Sequence, residues 1–427
     1  MGENSVTIVG AGVSGSFLAQ KLVKEGYEVT LIDRNSVKLE SLEVYPNILT
    51  VNCSLPQREC LDFFRSRDYI FFLTDNECLN ISSTLLAKKV NPTAKVVARV
   101  YTDTYEGISQ LLPNFRVVNM VSKTAEGFLK LVEFPFAEGV WNLDTLHLFK
   151  VKAYRLEPLI GKPLKQLNHL REKLSFAVVL VERENRYFIP SGETVIEKGD
   201  TLFVAVESEQ LKEFLKAFNL LRERVQKLTV FGYSRYTEKV LEGLGKLGVK
   251  VKMVEHRKGI IEKLLNKFSN FLEIYEGFPT DGELLKTEGL LETDYLLNLF
   301  EEDETNLTLS VFFKNFVPTA KVGILLQNPN YETVAQTLNV EAYISPKREI
   351  AGEIYAYLKG SKISRLAELT EGINIYKIPY QGDRAVEVKN FKGCKFIVAV
   401  ERNGKLYIPK GDFVLLNGDN LFCLYTV

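Results

Sequence analysis

The chain has 427 residues, and its 54 Lys and Arg residues balance its 54 Asp and Glu residues. Hydrophobic residues make up 46% of the chain and charged residues 25%, which is typical of a folded protein with about two to four domains and excludes a disordered, collagen-like or coiled-coil chain. The balanced charge gives no reason to expect a nucleic-acid partner, which requires a basic excess.

The first part of the chain alternates short apolar strands with segments of helical periodicity. The alternation predicts a parallel sheet with helices on both faces over residues 1–135. Strands are predicted at Thr7–Val9, Val29–Ile32, Ile48–Val51, Tyr69–Leu73 and Lys95–Val100, and helices at Gly15–Glu25 and Asn80–Val90. The polar start of the chain predicts no signal peptide, and the strand-sized apolar runs predict no membrane span.

A glycine-rich turn, Gly10-Ala11-Gly12-Val13-Ser14-Gly15, follows the first strand and opens the first helix. Gly10 permits the tight turn, Gly12 lets a diphosphate approach the backbone, and Gly15 lets the helix pack on the strand. The helix N-terminus also offers unpaired N–H groups to an anion. Tight packing alone could explain the glycines, but the strand, turn and helix context favours nucleotide binding.

Asp33 ends the second strand, 18 residues after Gly15. A carboxylate at this position accepts hydrogen bonds from both ribose hydroxyls of adenosine and repels a 2′-phosphate. NAD or a plain adenine nucleotide is therefore favoured over NADP, although the adjacent Arg34 weakens this preference.

Polar residues also follow the fourth and fifth strands. Thr74-Asp75 ends the fourth strand and Arg99 ends the fifth. Because the carboxyl ends of parallel strands meet at one edge of a sheet, these side chains are expected to face the same crevice as the glycine turn. The planar guanidinium of Arg99 suits a phosphate, but its position alone fits a surface salt bridge equally well.

The chain repeats itself. Residues 181–192 return as residues 400–411 at a constant offset of 219, and the first strand and Asp33 return at Leu228–Phe231 and Glu255 at an offset of 222. The protein is therefore predicted to contain two copies of one unit. Each copy has an α/β domain and a small, mostly β module, with predicted bounds 1–135, 146–220, 226–358 and 361–427.

The second unit has lost most of the predicted site. Ser234 and Thr237 replace the second and third glycines after Gly232, and a Ser Cβ crowds an approaching diphosphate. Leu325 stands where the first unit has its arginine, and Glu255 is expected at a solvated strand end. We predict a nucleotide in the first unit and none, or a weakly bound one, in the second.

Catalytic and metal sites are not expected. No nucleophile or zinc-protease motif occurs, and the three histidines lie in different segments, at His147, His169 and His256. The five cysteines form no CxxC pair and are odd in number, so reduced thiols are expected rather than a disulfide framework or a zinc site, at Cys53, Cys60, Cys78, Cys394 and Cys423.

Together these residues resemble the TrkA family, the peripheral regulatory subunits of bacterial and archaeal Trk-type potassium uptake systems, whose α/β part is the RCK or KTN domain. The resemblance covers nearly the whole chain. It includes the glycine turn, Asp33, residues 74–80, Ala98-Arg99-Val100, Tyr105, Thr280-Asp281, residues 302–306 and Ile344-Ser345-Pro346.

The resemblance implies two tandem Rossmann-like α/β domains, each followed by a small α+β, β-rich subdomain. It implies a cytoplasmic protein at the inner face of the cell membrane that binds NAD(H) or ATP/ADP, forms a homo-oligomer (dimer or tetramer) and gates a TrkH-type membrane potassium channel subunit. Arg99 would contact the nucleotide phosphate. Asn52 and Cys53, which stand where the family usually has Gly-Asp, would lie on the adenine side.

Two other functions fit parts of the sequence. An NAD-dependent dehydrogenase would need an acid or base near the crevice, and the module over residues 150–217 offers only His169. A scaffold that keeps the nucleotide fold without a ligand is the third possibility.

Overall fold

The computed structural model describes residues 5–143, 145–167, 170, 173–222, 224–338, 340, 342–358, 364–370, 373–382 and 384–426. The chain forms two halves of the same architecture. Each half has a six-stranded parallel sheet followed by a five-stranded antiparallel sheet, as the repeat and the fold class predict. None of the helices in these ranges has both the length and the apolar character that crossing a membrane would require.

The first parallel sheet has the strand order β3-β2-β1-β4-β5-β6. All five predicted strands are present, and β4 is buried along its whole length. The order reverses between β1 and β4, so the turn after β1 lies at the centre of the carboxyl edge, where such sheets bind ligands. The elements are β1 (Ser5–Val9), α1 (Val13–Lys24), β2 (Glu28–Asp33), α2 (Ser36–Glu40), β3 (Ile48–Asn52), α3 (Arg58–Leu61), β4 (Tyr69–Phe72), α4 (Glu77–Val90), β5 (Lys95–Val100), β6 (Phe115–Asn119) and α5 (Met120–Glu133).

The first antiparallel sheet has the order β10-β9-β11-β8-β7. Its outer strand β7 lies ahead of the predicted start at residue 146, and Trp141 on that strand stacks on Phe203 of β11, with ring centroids 6.0 Å apart. The elements are β7 (Gly139–Leu143), β8 (Leu146–Lys152), β9 (Phe176–Arg183), β10 (Arg186–Phe188), β11 (Thr201–Glu207) and α6 (Leu211–Ala217).

The second half repeats both sheets, with the orders β14-β13-β12-β15-β16-β17 and β18-β19-β24-β21-β22. Its parallel part contains β12 (Lys227–Phe231), α7 (Thr237–Lys246), β13 (Lys250–Glu255), α8 (Lys258–Phe268), β14 (Leu272–Glu276), α9 (Gly282–Thr287), β15 (Tyr295–Asn298), α10 (Asp303–Lys314), β16 (Lys321–Leu325), α11 (Glu332–Thr337), β17 (Ala342–Ile344) and α12 (Pro346–Leu358).

The second antiparallel part contains β18 (Ser364–Thr370), β19 (Ile373–Pro379), β20 (Val386–Glu387), β21 (Phe396–Arg402), β22 (Lys405–Tyr407), β23 (Val414–Leu415) and β24 (Asn420–Thr426). Short 3-10 helices lie at Asp62–Phe64, Asp103–Gln110, Ala153–Leu159, Leu164–Leu167, Ser208–Gln210, Leu220–Arg222, Pro329–Tyr331 and Val388–Asn390.

An ion pair between a half-buried arginine and a buried aspartate recurs in the two antiparallel parts. The carboxylate of Asp200 accepts hydrogen bonds from Nε and Nη2 of Arg183, each at 2.7 Å, and Asp419 accepts the same two bonds from Arg402 at the same distance. Both aspartates are buried. The pair fixes the turn before the last strand of each sheet, and it confirms the offset of 219 read from the sequence.

The two parallel domains pack together through helices of each half that lie against helices of the other, a contact called the helix exchange. Helix α5 of the first half packs on α7 of the second, and α12 of the second half packs on α1 and α5 of the first. Glycines permit the close approach: a Cβ on Gly243 would lie 2.1 Å from Leu129, and a Cβ on Gly127 would lie 2.9 Å from Ile344. The two domains therefore form a pair within one chain.

The antiparallel sheets also share one apolar core. Leu148 and Phe203 of the first half pack in the same cluster as Ile375 and Phe422 of the second. The carboxylate of Glu207 accepts a hydrogen bond from the backbone N–H of Ile408 at 3.0 Å across this contact. Both parts of the repeat are thus paired, the parallel domains by helices and the small sheets by their apolar faces.

Four of the five cysteines contradict the expectation of reduced thiols. Cys53 and Cys60 form a disulfide in the segment after β3, and Cys394 and Cys423 form a second one, with Cα atoms 5.9 and 5.8 Å apart. Cys78 is a free, exposed thiol. The pairing depends on how the chain folds back on itself, and cysteine spacing alone does not reveal it.

The exchanged helices predict a position-specific effect of bulk in the interface. Gly243→Leu should lower the free energy of unfolding by about 1–3 kcal/mol, because the new side chain must displace Leu129 from a packed contact. Gly259→Leu is the matched control, since Gly259 also lies in a helix and has no atom within 4 Å of the added Cβ. Equal stability of the two variants in urea unfolding would contradict the close packing of α5 on α7.

Candidate functional site

The fold itself requires two of the three glycines in the turn after β1. Gly10 adopts a φ of 110°, and a Cβ there would lie 2.9 Å from the backbone of Leu73. A Cβ on Gly15 would lie 1.9 Å from the carbonyl oxygen of Gly10. Packing therefore explains Gly10 and Gly15 without any ligand.

Gly12 is different, because nothing lies within 4 Å of the Cβ that a side chain would add. Its φ of −72° is one that any residue adopts, and it directly precedes the first residue of α1. The fold thus gives no reason for a glycine here. Open space in front of a helix N-terminus is what the close approach of a diphosphate to the backbone needs.

Asp33 lies beside this turn with acceptor capacity to spare. Its Oδ2 accepts a hydrogen bond from the backbone N–H of Ala11 at 2.7 Å, and its Oδ1 accepts one from that of Asn35 at 2.9 Å. Each carboxylate oxygen can accept a further bond, so both remain open to ribose hydroxyls. The neighbouring Arg34 is exposed.

Asn52 and Cys53 fasten the ends of β2 and β3 together. Nδ2 of Asn52 and the backbone N–H of Cys53 both donate to the carbonyl oxygen of Asp33, at 3.2 and 3.1 Å. Asn52 is exposed, and Cys53 is held in the disulfide with Cys60. The structure thus places both residues beside Asp33 at the carboxyl edge of the sheet.

Arg99 is buried, with 4% of its surface exposed, although its partner Asp75 is largely exposed. Its Nη2 donates to Oδ1 of Asp75 at 2.8 Å, and its Nη1 donates to Oγ of Ser14 at 3.3 Å. Its Nε has no hydrogen-bond partner. The guanidinium therefore reaches from β5 to the start of α1, and its buried, unpartnered N–H favours an anion at that point.

Thr74 shapes the crevice. Its backbone N–H and its Oγ1 both donate to Oδ1 of Asn80, at 3.2 and 2.6 Å, and Nδ2 of Asn80 donates to the carbonyl oxygen of Arg99 at 2.8 Å. The second half repeats this arrangement, where Nδ2 of Asn306 donates to the carbonyl oxygen of Leu325 at 2.8 Å. The shared contact shows that Leu325 is the structural counterpart of Arg99.

The second half also borders the first half's crevice, which the sequence did not reveal. The hydroxyl of Tyr101, just after β5, donates to Oδ1 of Asp75 at 3.2 Å. The guanidinium of Arg235 from the second half lies 4.7 Å from the centre of the Tyr101 ring. Burial raises the pKa of Tyr101 above its ordinary value. No motif signals this contact, because it depends on how the halves pack.

The equivalent turn in the second half is filled by side chains. The ring of Phe300 lies 2.5 Å from the position of a Cβ on Gly232. Tyr236, which stands where the first half has Ser14, is buried, and burial raises its pKa to about 12. Helix α7 starts at Thr237, five residues after the first glycine of its turn, whereas α1 starts three residues after its own. The second turn is thus packed against protein side chains, and its helix starts farther from the first glycine than α1 does.

Glu255 is not at a solvated strand end, and that expectation is wrong. The residue is 3% exposed, and its two carboxylate oxygens accept hydrogen bonds from Nε and Nη2 of Arg257, both at 2.8 Å. Burial alone would raise the pKa of Glu255, but the hydrogen bonds from Arg257 hold it below its usual range. An arginine two residues along the chain therefore satisfies the carboxylate that would bind a ribose.

The two described histidines pack against other aromatic rings. His256, just after β13 in the second half, stacks on Phe278 with ring centroids 4.8 Å apart. His147 lies on β8, with its Nδ1 3.0 Å from Oδ1 of Asn142 and its ring stacked on Phe149. His169 falls outside the described residues. Across the described ranges, no group of three or more His, Cys, Asp or Glu residues is placed to hold a metal ion.

Domain families match both halves. The TrkA-N domain matches residues 6–120 and again residues 228–346, and the TrkA-C domain matches residues 149–219.

Curated relatives match along the whole chain. Trk system potassium uptake protein TrkA of Halomonas elongata is 25% identical, covering 97% of this chain and 94% of that protein. A TrkA homolog of Archaeoglobus fulgidus is also 25% identical, covering 97% and 96%. A homolog of Pyrococcus abyssi is 25% identical and covers 51% of this chain but 99% of its own length, which corresponds to one unit of the repeat.

Solved structures share the fold at low sequence identity. A structure described as the GsuK channel bound to NAD has a TM-score of 0.65 and 16% identity, covering 100% of this chain and 77% of that one. The GsuK RCK domain has a TM-score of 0.64 and 16% identity, covering 100% and 93%. The tandem arrangement of the two halves thus occurs in known structures.

The contrast between two glycines of the turn is testable. Gly12→Val should cost the unliganded protein no more than about 1 kcal/mol, because no packed atom opposes the side chain and only the poorer capping by valine at the N-cap of α1 counts against it. Gly15→Ala should destabilise it by about 1–3 kcal/mol, because the Cβ meets the backbone of Gly10. Urea unfolding measures both, and a large loss in Gly12→Val would mean that Gly12 serves the fold.

Proposed function

Because the chain belongs to the TrkA-N domain family and carries that domain twice, we propose that it is the nucleotide-binding regulatory subunit of a Trk-type potassium uptake system. It acts by binding and not by catalysis. The ligand is NAD(H) or ATP/ADP, and the partner is a TrkH-type membrane potassium channel subunit. The protein acts as a homo-oligomer on the cytoplasmic face of that partner.

One observation carries the nucleotide-binding part of this proposal. The N-terminus of α1 faces open space at Gly12, and the buried guanidinium of Arg99 reaches Ser14 with its Nε unpartnered. A helix N-terminus and a buried cation at one point favour a phosphate. Asp33 beside the same turn supplies the acceptors that an adenosine ribose needs.

The known proteins support the same ligand class. The structural neighbours include the GsuK channel bound to NAD and, at a TM-score of 0.52 and 10% identity, GsuK bound to ADP. These two neighbours bind an adenine nucleotide on a related fold, which supports the same ligand class for this chain. The choice between NAD(H) and ATP/ADP for this chain is left to the binding experiment below.

We infer that only the first half binds a nucleotide. In the second half Phe300 and Tyr236 fill the space over the turn, and Arg257 satisfies the carboxylate of Glu255. Leu325 stands at the position of Arg99, so the second half lacks the cation that would bind a phosphate. A nucleotide would have to displace all of these packed groups, which would cost several times the energy that one charge-assisted hydrogen bond returns, about 1.5–3 kcal/mol.

The packing of the halves suggests how a nucleotide is sensed. Its phosphate would bind at the N-terminus of α1, and α1 packs on α12 from the second half. A ligand shifts the arrangement of two bodies only as far as it binds one arrangement better than the other. A site bordered by both halves meets that requirement, and the resulting movement would pass to the membrane partner.

Nucleotide binding can be tested with two matched substitutions. Arg99→Met keeps most of the side-chain volume but removes the cation, so affinity for ADP, ATP or NAD in calorimetric titration should fall about tenfold or more. Leu325→Met changes the counterpart residue in the second half and should leave affinity unchanged. Wild-type protein should bind one nucleotide per chain. Two equivalent sites, or equal losses in both variants, would contradict the assignment to the first half.

Regulation of a membrane partner needs a separate test. The chain would be co-expressed with a TrkH-type subunit in cells that lack potassium uptake, and rubidium influx would be measured. Influx should depend on the chain, and Gly12→Val should abolish its response to nucleotide in membrane vesicles while the protein still folds. Nucleotide-dependent oxidation of a panel of alcohols or hydroxy acids, without any effect on influx, would instead support a dehydrogenase.

A further inference from the structure

The disulfide between Cys53 and Cys60 lies beside the first crevice. Cys53 directly follows β3, and its backbone N–H donates to the carbonyl oxygen of Asp33 at 3.1 Å. Its sulfur is bonded to that of Cys60 in α3, with the Cα atoms 5.9 Å apart. The carboxylate of Asp33 in turn accepts a hydrogen bond from the backbone N–H of Ala11 in the glycine turn. A single backbone hydrogen bond therefore connects the disulfide-bonded Cys53 to the residue that is expected to bind the ribose.

The other end of the disulfide is fixed to the core of the first parallel domain. Cys60 has no exposed surface. The segment just after α3 is tied to β1, because Oγ1 of the buried Thr7 donates to the carbonyl oxygen of Phe63 at 2.8 Å. Cys53 is only partly buried. The disulfide thus links the carboxyl end of β3 to a fixed point, and breaking the S–S bond would remove that covalent link.

The second half closes the same segment without cysteines. The backbone N–H of Gly277 donates to the carbonyl oxygen of Glu255 at 3.2 Å, as that of Cys53 donates to Asp33. Seven residues further on, the separation of the two cysteines, stands Leu284, whose Cδ2 lies 2.6 Å from the position of a Cβ on Gly277. A packed leucine therefore makes the contact that the disulfide makes in the first half. The fold does not require a covalent bond here, and the bond occurs in the half whose glycine turn is open.

We propose that the Cys53–Cys60 disulfide is a reversible redox site that sets the affinity of the first half for its nucleotide. This inference rests on the proposed nucleotide-binding function. A disulfide in a protein that acts in a reducing cytoplasm is ordinarily transient and regulatory. Cys53 is the less buried of the two cysteines, so a reductant reaches its sulfur first.

The reductant is a dithiol. One of its thiolates attacks Sγ of Cys53, the S–S bond breaks, and Cys60 leaves as a thiolate that takes up a proton. The second thiol of the reductant then displaces Cys53 from the mixed disulfide. Two electrons and two protons pass to the protein, and the dithiol becomes a disulfide. The same exchange in the opposite direction, with a disulfide as the oxidant, restores the bond.

Reduction weakens nucleotide binding because it loosens the end of β3 beside Asp33. The coupling is reciprocal, so a bound nucleotide makes the disulfide harder to reduce by the same factor by which reduction lowers nucleotide affinity. A coupling at the lower end of the usual range corresponds to a factor of about five.

The experiment measures ADP affinity of the full chain by equilibrium dialysis, before and after reduction with dithiothreitol. Affinity should fall about fivefold on reduction of the wild-type protein. The double variant Cys53→Ser/Cys60→Ser should bind ADP weakly under both conditions. The matched control is Cys394→Ser/Cys423→Ser, which removes the disulfide of the second antiparallel part and should keep the full response. Alkylation followed by mass spectrometry shows which cysteines are reduced in each sample.

Protection of the disulfide by ADP provides a second measurement that needs no variant. At a fixed ratio of reduced to oxidised dithiothreitol, saturating ADP should lower the ratio of reduced to disulfide-bonded Cys53 in wild-type protein about fivefold. Equal ADP affinity of the oxidised and reduced wild-type protein would overturn the inference. So would a redox response that persists in Cys53→Ser/Cys60→Ser, or a failure of dithiothreitol to expose these two thiols to alkylation. If wild-type protein bound none of ADP, ATP or NAD in either redox state, the proposed function itself would fail, which is a distinguishable result.

Discussion

The exchange of helices between the two parallel domains is the contact on which the rest of the structure depends. Helix α5 can approach α7 because residue 243 is glycine, and the end of β17 can approach α5 because residue 127 is glycine. A side chain at either point would have to displace Leu129 or Ile344 from its packed position. As a consequence, the last helix of the second half lies against the first helix of the first half, and the crevice at the first sheet is bordered by both.

The two halves share one architecture but differ at the turn that would bind a nucleotide. Two identical halves would give a symmetric pair with two sites, but here the second turn is closed by Phe300 and Tyr236, and its carboxylate is held by Arg257. The two aromatic side chains fill space beside the turn, and the arginine makes the hydrogen bonds that a ribose would otherwise make with the carboxylate. The second half therefore keeps the surface that packs on the first half although its own turn is filled by side chains.

The local patterns in the sequence predicted most of the fold. Apolar strands such as Tyr69–Leu73, the glycine turn and the offset of 219 are short-range or repeated signals, and each was confirmed as a strand, a turn or a recurring ion pair. Strand β7 was missed because Trp141 and the preceding Phe134-Pro135-Phe136 break the periodicity between the parallel and the antiparallel part of the first half.

Contacts between segments far apart in the chain could not be predicted from the sequence. The disulfide partners, the burial of Glu255 and the position of Arg235 over Tyr101 all depend on how elements pack. For Glu255 the sequence offered a hint in the arginine two residues later, but an acid and a base at that spacing are common on surfaces. Spacing alone cannot say that the arginine folds back and buries the carboxylate.

Binding free energies indicate how far one nucleotide site can shift the equilibrium between two arrangements of the halves. Moving an equilibrium between two arrangements from 1:99 to 99:1 requires a difference in binding free energy of about 5.5 kcal/mol. One hydrogen bond to a charged group contributes about 1.5–3 kcal/mol. About two to four such contacts made across the boundary between halves would therefore supply this difference. Contacts made within the first half alone, however strong, would exist in both arrangements and would shift nothing. A ligand of the first half can therefore shift the pair only through contacts that differ between the two arrangements, and the packing of α12 on α1 brings the second half to that crevice.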